Sequence, residues 1–143
     1  MLIKKPATDY WLVLAQLDTA TSNCSKDAIA RYYETLDESH LQLSGEPTRW
    51  RVQPPSVKDL TATLGRHGVT PEAVDQTFEQ LSRNVDAACD LCRSCIVEVR
   101  NYGDFNGPVT PQWFSENLHE DIQMLLGQQI LQRSMLTRAD VGN

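Results

Sequence analysis

The chain has 143 residues and a mass of 16.1 kDa, with 41% apolar and 22% charged residues, which suits one ordinary globular domain. That balance excludes wholesale disorder, and no stretch approaches the roughly 20 apolar residues that a membrane-spanning helix needs. Thirteen basic against nineteen acidic residues give a net charge of −6, all of it in residues 59–143, since 1–58 is neutral. Binding to nucleic acid gains from phosphate neutralisation by a basic face. Beyond Lys4-Lys5 and Arg49/Arg51 the chain has no basic cluster, so neither a nucleic-acid nor a membrane partner is expected.

Residues 1–9 read as an extended arm, and Met1-Leu2-Ile3-Lys4-Lys5-Pro6 lacks the apolar core of a secretion signal. The run Tyr10-Trp11-Leu12-Val13-Leu14-Ala15 suits a buried strand or the start of a helix, and periodicity does not separate the two. A turn-like stretch over 18–24 leads to a helix from about Lys26 to Leu36, capped by Ser25 or Asn23, with Ile29, Tyr32, Tyr33 and Leu36 at helical spacing. The period then changes. Leu41 and Leu43 alternate with polar residues, as do Trp50 and Val52, around the turn chemistry of Ser44-Gly45-Glu46-Pro47. This predicts a short β-hairpin over about 41–53, ended by Pro54-Pro55.

Ser56 starts a short helix that Gly65 or Gly68 stops. Thr70-Pro71-Glu72 is a second helix start. Val74, Phe78, Leu81, Val85, Ala88, Cys92, Cys95 and Val99 then recur at steps of four and three, predicting one helix over about 71–99 with an a/d stripe. Asn101-Tyr102-Gly103-Asp104 ends it. Thr110-Pro111 repeats the start pattern before Trp113, Phe114 and Leu118. After a break near His119, Ile122, Leu125, Leu126, Ile130 and Leu131 form a further apolar face, and a last short turn begins at Thr137. The 71–99 helix is expected to pack on the 111–135 region, and its stripe makes a homo-oligomer reasonable.

Four cysteines stand at 24, 89, 92 and 95. Cys89-x-x-Cys92-x-x-Cys95 resembles part of a zinc or iron–sulfur binding run, with Cys24 as a distant fourth ligand. On a helix, however, steps of three residues turn by about 300° each, so the sulfurs fan over about 120° of surface. Buried structural thiols are the leading reading. A metal or iron–sulfur regulatory domain using Cys24, Cys89, Cys92 and Cys95 is the alternative, and a disulfide or a thiol enzyme stands behind it. His40, His67 and His119 are scattered. G-x-S-x-G, H-E-x-x-H, a phosphate-binding loop and G-x-G-x-x-G are all absent. The expectation is therefore a non-enzymatic chain with no cofactor and no catalytic residue.

Trp11, Trp50 and Trp113 sit on short elements, and tryptophan is enriched at protein interfaces because it buries much area and keeps a polar handle. With Arg49 and Arg51 beside Trp50, these five residues form the expected partner-binding set, and an open hairpin edge near Trp50 could add a strand to a partner's sheet.

The order of features resembles small morphogenesis proteins of tailed bacteriophages, of the tail-assembly or virion-associated kind. The residues that carry the likeness are Asp27-Ala28-Ile29-Ala30-Arg31-Tyr32-Tyr33-Glu34-Thr35, then Gly45-Glu46-Pro47-Thr48-Arg49-Trp50-Arg51-Val52-Gln53-Pro54 with Asp59-Leu60, and a closing amphipathic helix from Leu118 to Thr137. The resemblance implies contact with other morphogenesis or virion proteins in the host cytoplasm or the particle. The expected architecture is a single α+β domain over 1–143, predominantly helical, with one short β-hairpin near 41–53 packed on a helical bundle.

Overall fold

The computed structural model describes residues 8–69 and 78–142, with 78–83 and 135–142 described by backbone alone. Within these, the elements run β1 (Tyr10–Val13), α1 (Lys26–Thr35), β2 (Arg49–Val52), α2 (Val57–Arg66), α3 (Phe78–Cys95), β3 (Ile96–Tyr102), β4 (Phe105–Pro108), α4 (Pro111–Asn117) and α5 (Glu120–Gly142). The four strands form one antiparallel sheet in the order β1-β2-β3-β4. The fold is α+β with helix dominant, as expected. The arm over 1–9 and the Thr70-Pro71 helix start fall largely outside the described residues.

Local sequence accounts for the helix boundaries. Ser25, Ser56 and Thr110 each accept a hydrogen bond from the backbone N–H three residues on, at Ala28, Asp59 and Trp113 (3.1, 3.0 and 3.2 Å). After α2, Gly68 takes a positive φ of 65°. Its N–H reaches the Gly65 carbonyl and that of Val69 reaches Leu64, which satisfies the last helical carbonyls and turns the chain away. The break near His119 is real: α4 stops at Asn117 and α5 starts at Glu120. The separate last turn at Thr137 is not formed, because α5 continues without interruption to Gly142.

The 41–53 hairpin is corrected. Its second arm is β2, but β2 pairs with β1 on one side and β3 on the other, and 41–43 is not a strand. The backbone of that segment is committed to the loop before α1: Gln42 N–H donates to the Cys24 sulfur and Ser44 N–H to the Ala20 carbonyl. Leu41 is buried beside Tyr32, Val13 and Ala15. An alternating apolar pattern here serves a small satellite cluster and no ladder.

The 71–99 helix is also corrected, since α3 ends at Cys95 and Ile96-Val97-Glu98-Val99 is strand. Branched side chains favour the pleated sheet. The last α3 carbonyl, on Cys95, accepts from Gln53 N–H, which ties the helix end to the chain leaving β2. Val99 faces the same core as Ala87, Leu91 and Cys92, so the apolar period passes through the helix–strand junction unbroken.

The sheet divides the interior. On its inner face Leu12, Trp50 and Val99 are cross-strand neighbours. They pack with Leu60 and Leu64 of α2, Leu91 and Cys92 of α3, Phe114 of α4, and Leu126 and Ile130 of α5. Helix α5 lies tightly on α3, where a Cβ on Gly127 would overlap the Ala88 carbonyl. The predicted packing of these two regions is therefore formed. Ala88, Cys92 and Cys95 of the α3 stripe are buried within the chain, while the side chains of Val74, Phe78 and Leu81 lie outside the described residues. Gln123, almost fully buried, fastens the corner. Its amide donates to the Phe114 and Leu118 carbonyls (3.0 and 2.8 Å), and its carbonyl oxygen accepts from Arg93 Nε (2.7 Å).

Candidate interaction surface

The five residues expected to meet a partner fall on opposite sides of the sheet. Trp50 is only 2% exposed and faces the core, so the structure corrects its assignment to a partner surface. The alternation of β2 turns Trp50 inward and its neighbours Arg49 and Arg51 outward. Arg51 stands opposite Trp11 on β1 and Glu98 on β3, and Arg49 stands opposite Arg100. Arg49 is held by Glu38 and Glu46 (2.8 and 2.7 Å), and Arg51 by Asp9 and Glu98 (3.0 and 3.3 Å). The Arg100 guanidinium lies 4.7 Å from the Trp11 ring centroid. Each arginine of this face is thus already matched within the chain, and the outer face is mixed in charge.

Strand addition near Trp50 is excluded by the topology, because β2 is an inner strand with both sides paired. At the β1 edge, the outward N–H groups of Val13 and Ala15 donate to the hydroxyls of Tyr32 and Tyr33 (2.7 and 2.9 Å), so α1 blunts that edge. The other edge, β4, is four residues long and carries Pro108, a feature that discourages pairing.

Trp113 is half-buried and leads to a surface that composition did not reveal. The rings of Trp50, Tyr102, Trp113 and Phe105 form a chain from the core to solvent, with successive centroids 5.8, 5.6 and 5.4 Å apart. The outermost ring, Phe105, is 36% exposed. Tyr102 also borders a shallow groove of about 220 Å³ whose other walls include Leu14, Leu17, Asp18, Thr48 and Ile122. Leu17 is 55% exposed. Leu17, Tyr102, Phe105, Trp113 and Ile122 thus make one apolar surface at an end of the sheet. Leu17, Tyr102, Phe105 and Ile122 were missed in the sequence. The signals present were an aliphatic residue inside the turn-like Gln16-Leu17-Asp18 and an aromatic one directly after Gly103-Asp104.

The cysteines do not converge. Cys24 lies before α1, with its sulfur against the Gln42 backbone. Cys89 faces the Glu120 carbonyl at the start of α5, and Cys95 borders a cavity beside α2. All four are free thiols, and among the described residues no group of three or more His, Cys, Asp or Glu side chains is arranged to hold a metal ion. Burial pushes the thiols of Cys89 and Cys92 above their ordinary value and that of Cys95 up to about 11. Such thiols are protonated at neutral pH, the reverse of an activated nucleophile.

The Cys95 cavity, of about 570 Å³, is also lined by Gln53, Asp59, Thr63, Arg66 and Ser94. At its rim Asp90 accepts from Arg66 and pairs with His67, both at 3.0 Å. Burial raises the Asp90 carboxyl, but the His67 and Arg66 hydrogen bonds outweigh it and hold the group below the usual carboxylate range. Arg66, Thr63, His67, Ser94 and Asp90 are thus engaged with one another.

Comparison with protein-family models, with curated proteins and with solved structures finds no match for this chain.

Proposed function

We propose that this chain is a non-enzymatic structural or tail-assembly protein of a tailed bacteriophage, acting in the host cytoplasm, or in the virion, through contacts with other morphogenesis proteins. The observation that carries the contact role is the apolar surface of Leu17, Tyr102, Phe105, Trp113 and Ile122. Folding normally buries such side chains, and a ring stack that runs from the core out to an exposed Phe105 keeps a rigid aromatic face ready for docking at little entropic cost. The phage setting rests on the sequence resemblance around Asp27–Thr35 and Gly45–Pro54.

The test is co-expression of the tagged chain with the products of the genes that flank its own, followed by purification and native mass spectrometry. The expected result is a complex of fixed stoichiometry with one of those products, lost when Leu17 and Phe105 are both replaced by serine. A complex untouched by that double substitution removes the surface from consideration, and flanking genes unrelated to virion assembly remove the phage setting.

A further inference from the structure

We infer that the Leu17–Phe105 surface accepts a basic apolar segment of a partner protein, one that inserts aliphatic or aromatic side chains and flanks them with lysine or arginine. The inference rests on the contact-surface reading and adds the chemistry of the partner. Its ground is the charge around the patch. From Asn101 to Gln132 the sequence contains no lysine or arginine but four acids, Asp104, Glu116, Glu120 and Asp121. All four are exposed.

Three of these acids, Asp104, Glu116 and Asp121, border the patch. Asp104 sits in the β3–β4 turn between Tyr102 and Phe105. Glu116 is one helical turn beyond Trp113 on α4. Asp121 opens α5 one residue before Ile122, which lines the groove, with His119 Nδ1 3.5 Å from its carboxylate, whereas Glu120 lies on the α3 side beside Cys89. Asp18 adds a further carboxylate to the groove wall, where it accepts from the Thr48 and Ala20 N–H groups, both at 2.9 Å. The arginines of the outer sheet face are engaged with Asp9, Glu38, Glu46 and Glu98 and do not neutralise this rim.

An apolar centre with a one-signed polar border selects a partner of opposite border charge, because like charges brought together at an interface are penalised and opposite ones steer the encounter. A second copy of this chain presenting the same patch would oppose acid to acid. The geometry therefore favours a different, basic partner over a symmetric dimer through this surface.

The experiment uses two labelled synthetic amphipathic helical peptides with the same leucine and tryptophan pattern, one with lysine at every polar position and its twin with glutamate. Fluorescence anisotropy is read on the full chain and on three folded variants: Leu17→Ser/Phe105→Ser, Asp104→Lys/Asp121→Lys, and Glu34→Lys/Asp59→Lys. The last pair lies on exposed positions of α1 and α2, away from the groove, and controls for net charge. The lysine peptide is expected to bind, and the glutamate twin to bind at least about tenfold more weakly. A loss of about tenfold is expected for each of the first two variants, with little change for the third, and added salt should weaken the interaction. Equal binding of the twins, or no binding of the lysine peptide, overturns the basic-partner inference and leaves the contact surface standing. Equal losses for the rim pair and the distal pair also overturn it, since net charge alone would then explain the binding. Binding that survives Leu17→Ser/Phe105→Ser overturns the surface itself. Leu17→Ser alone, at the more exposed position, repeats that arm without touching the ring stack.

Discussion

On the inner face of the sheet, Leu12, Trp50 and Val99 stand side by side across three strands and are almost fully enclosed. One residue along each strand, on the outer face, Trp11, Arg51 and Glu98 stand side by side and remain partly wet. The backbone is shared, so the contrast comes from what covers each face. Four helices cover the inner one and exclude water. The outer one is covered by α1 and its flanking loops only near Val13 and Tyr32, and elsewhere charge pairs and one arginine–tryptophan stack finish the surface. Apolar burial is worth roughly 25 cal/mol per Å², whereas an exposed ion pair contributes about 0–1 kcal/mol. Stability should therefore be concentrated on one side of a sheet only one residue thick.

The largest effects should follow from opening the inner side. Gly127→Ala places a methyl group against the Ala88 carbonyl, and rigid backbone cannot yield as a side chain tip could. The α3–α5 crossing must separate, with an expected loss of about 3 kcal/mol or more in urea unfolding. Trp50→Ala removes the ring that joins Tyr102, Trp113 and Phe114, and should lose about 3–5 kcal/mol. If Trp50→Ala instead kept full stability and lost only partner binding, the inward orientation of β2 would be wrong.

Alkaline titration separates the two sides by chemistry. Cys95, Cys92 and Cys89 belong to the inner side, and burial pushes their thiols above the ordinary value of 9.0. Tyr32 belongs to the outer layer and Tyr33 borders both clusters, and burial pushes each phenol from 10.0 to about 12. In every case the folded chain releases the proton less readily than the unfolded chain. The stability tied to these groups is complete below the unfolded values and is lost as pH rises toward the folded ones. Stability should start to fall near pH 9, where unfolded thiols ionise. In a Cys89→Ala/Cys92→Ala/Cys95→Ala variant the onset should move toward pH 10, where the tyrosines take over. The check is urea midpoint against pH for both proteins; an unshifted onset would show that the thiols ionise equally in both states.

Much of this arrangement was legible in the residues, and the failures share a cause. Caps at Ser25, Ser56 and Thr110 are local chemistry, readable from three or four residues, and they marked the helix starts. The alternation Arg49-Trp50-Arg51-Val52 identified a strand, but its partners lie some 40 residues before and after it, and no local pattern names a partner at that distance. Leu41 and Leu43 copied the strand signal while packing on Tyr32. The α3 stripe ran into Val99 because helix and strand drain into one core, although the branched cluster Ile96-Val97-Val99 carried the sign of the change. Among the expected contact residues, β alternation already implied that Trp50 and its arginine neighbours face opposite ways. Tyr102 and Phe105 escaped because their exposure depends on the β3–β4 hairpin, and the long-helix reading had taken the first part of β3, up to Val99, as helix. Gln123 escaped because a buried glutamine has no periodic signature.

The smallest effects should come from the outer face, and their smallness is the informative part. Arg51 lies between Asp9 and Glu98, a geometry that suggests an important network on inspection. Its side chain is 43% exposed, however, so each pair is screened by water and pays to immobilise a long side chain. Arg51→Ala should therefore cost less than about 1 kcal/mol, and Arg51→Ala/Glu98→Ala little more, since the second change removes a carboxylate left without that partner. Trp11→Ala removes a stacked arginine as well as apolar area and should cost somewhat more, about 1–2 kcal/mol. Urea midpoints at low and at high salt give the check. Losses at Arg51 that approach those at Trp50, and that persist in high salt, would mean that a second body of structure covers this face in solution. The outer side would then have to be counted as interior, and the division on which the docking surface was chosen would move with it.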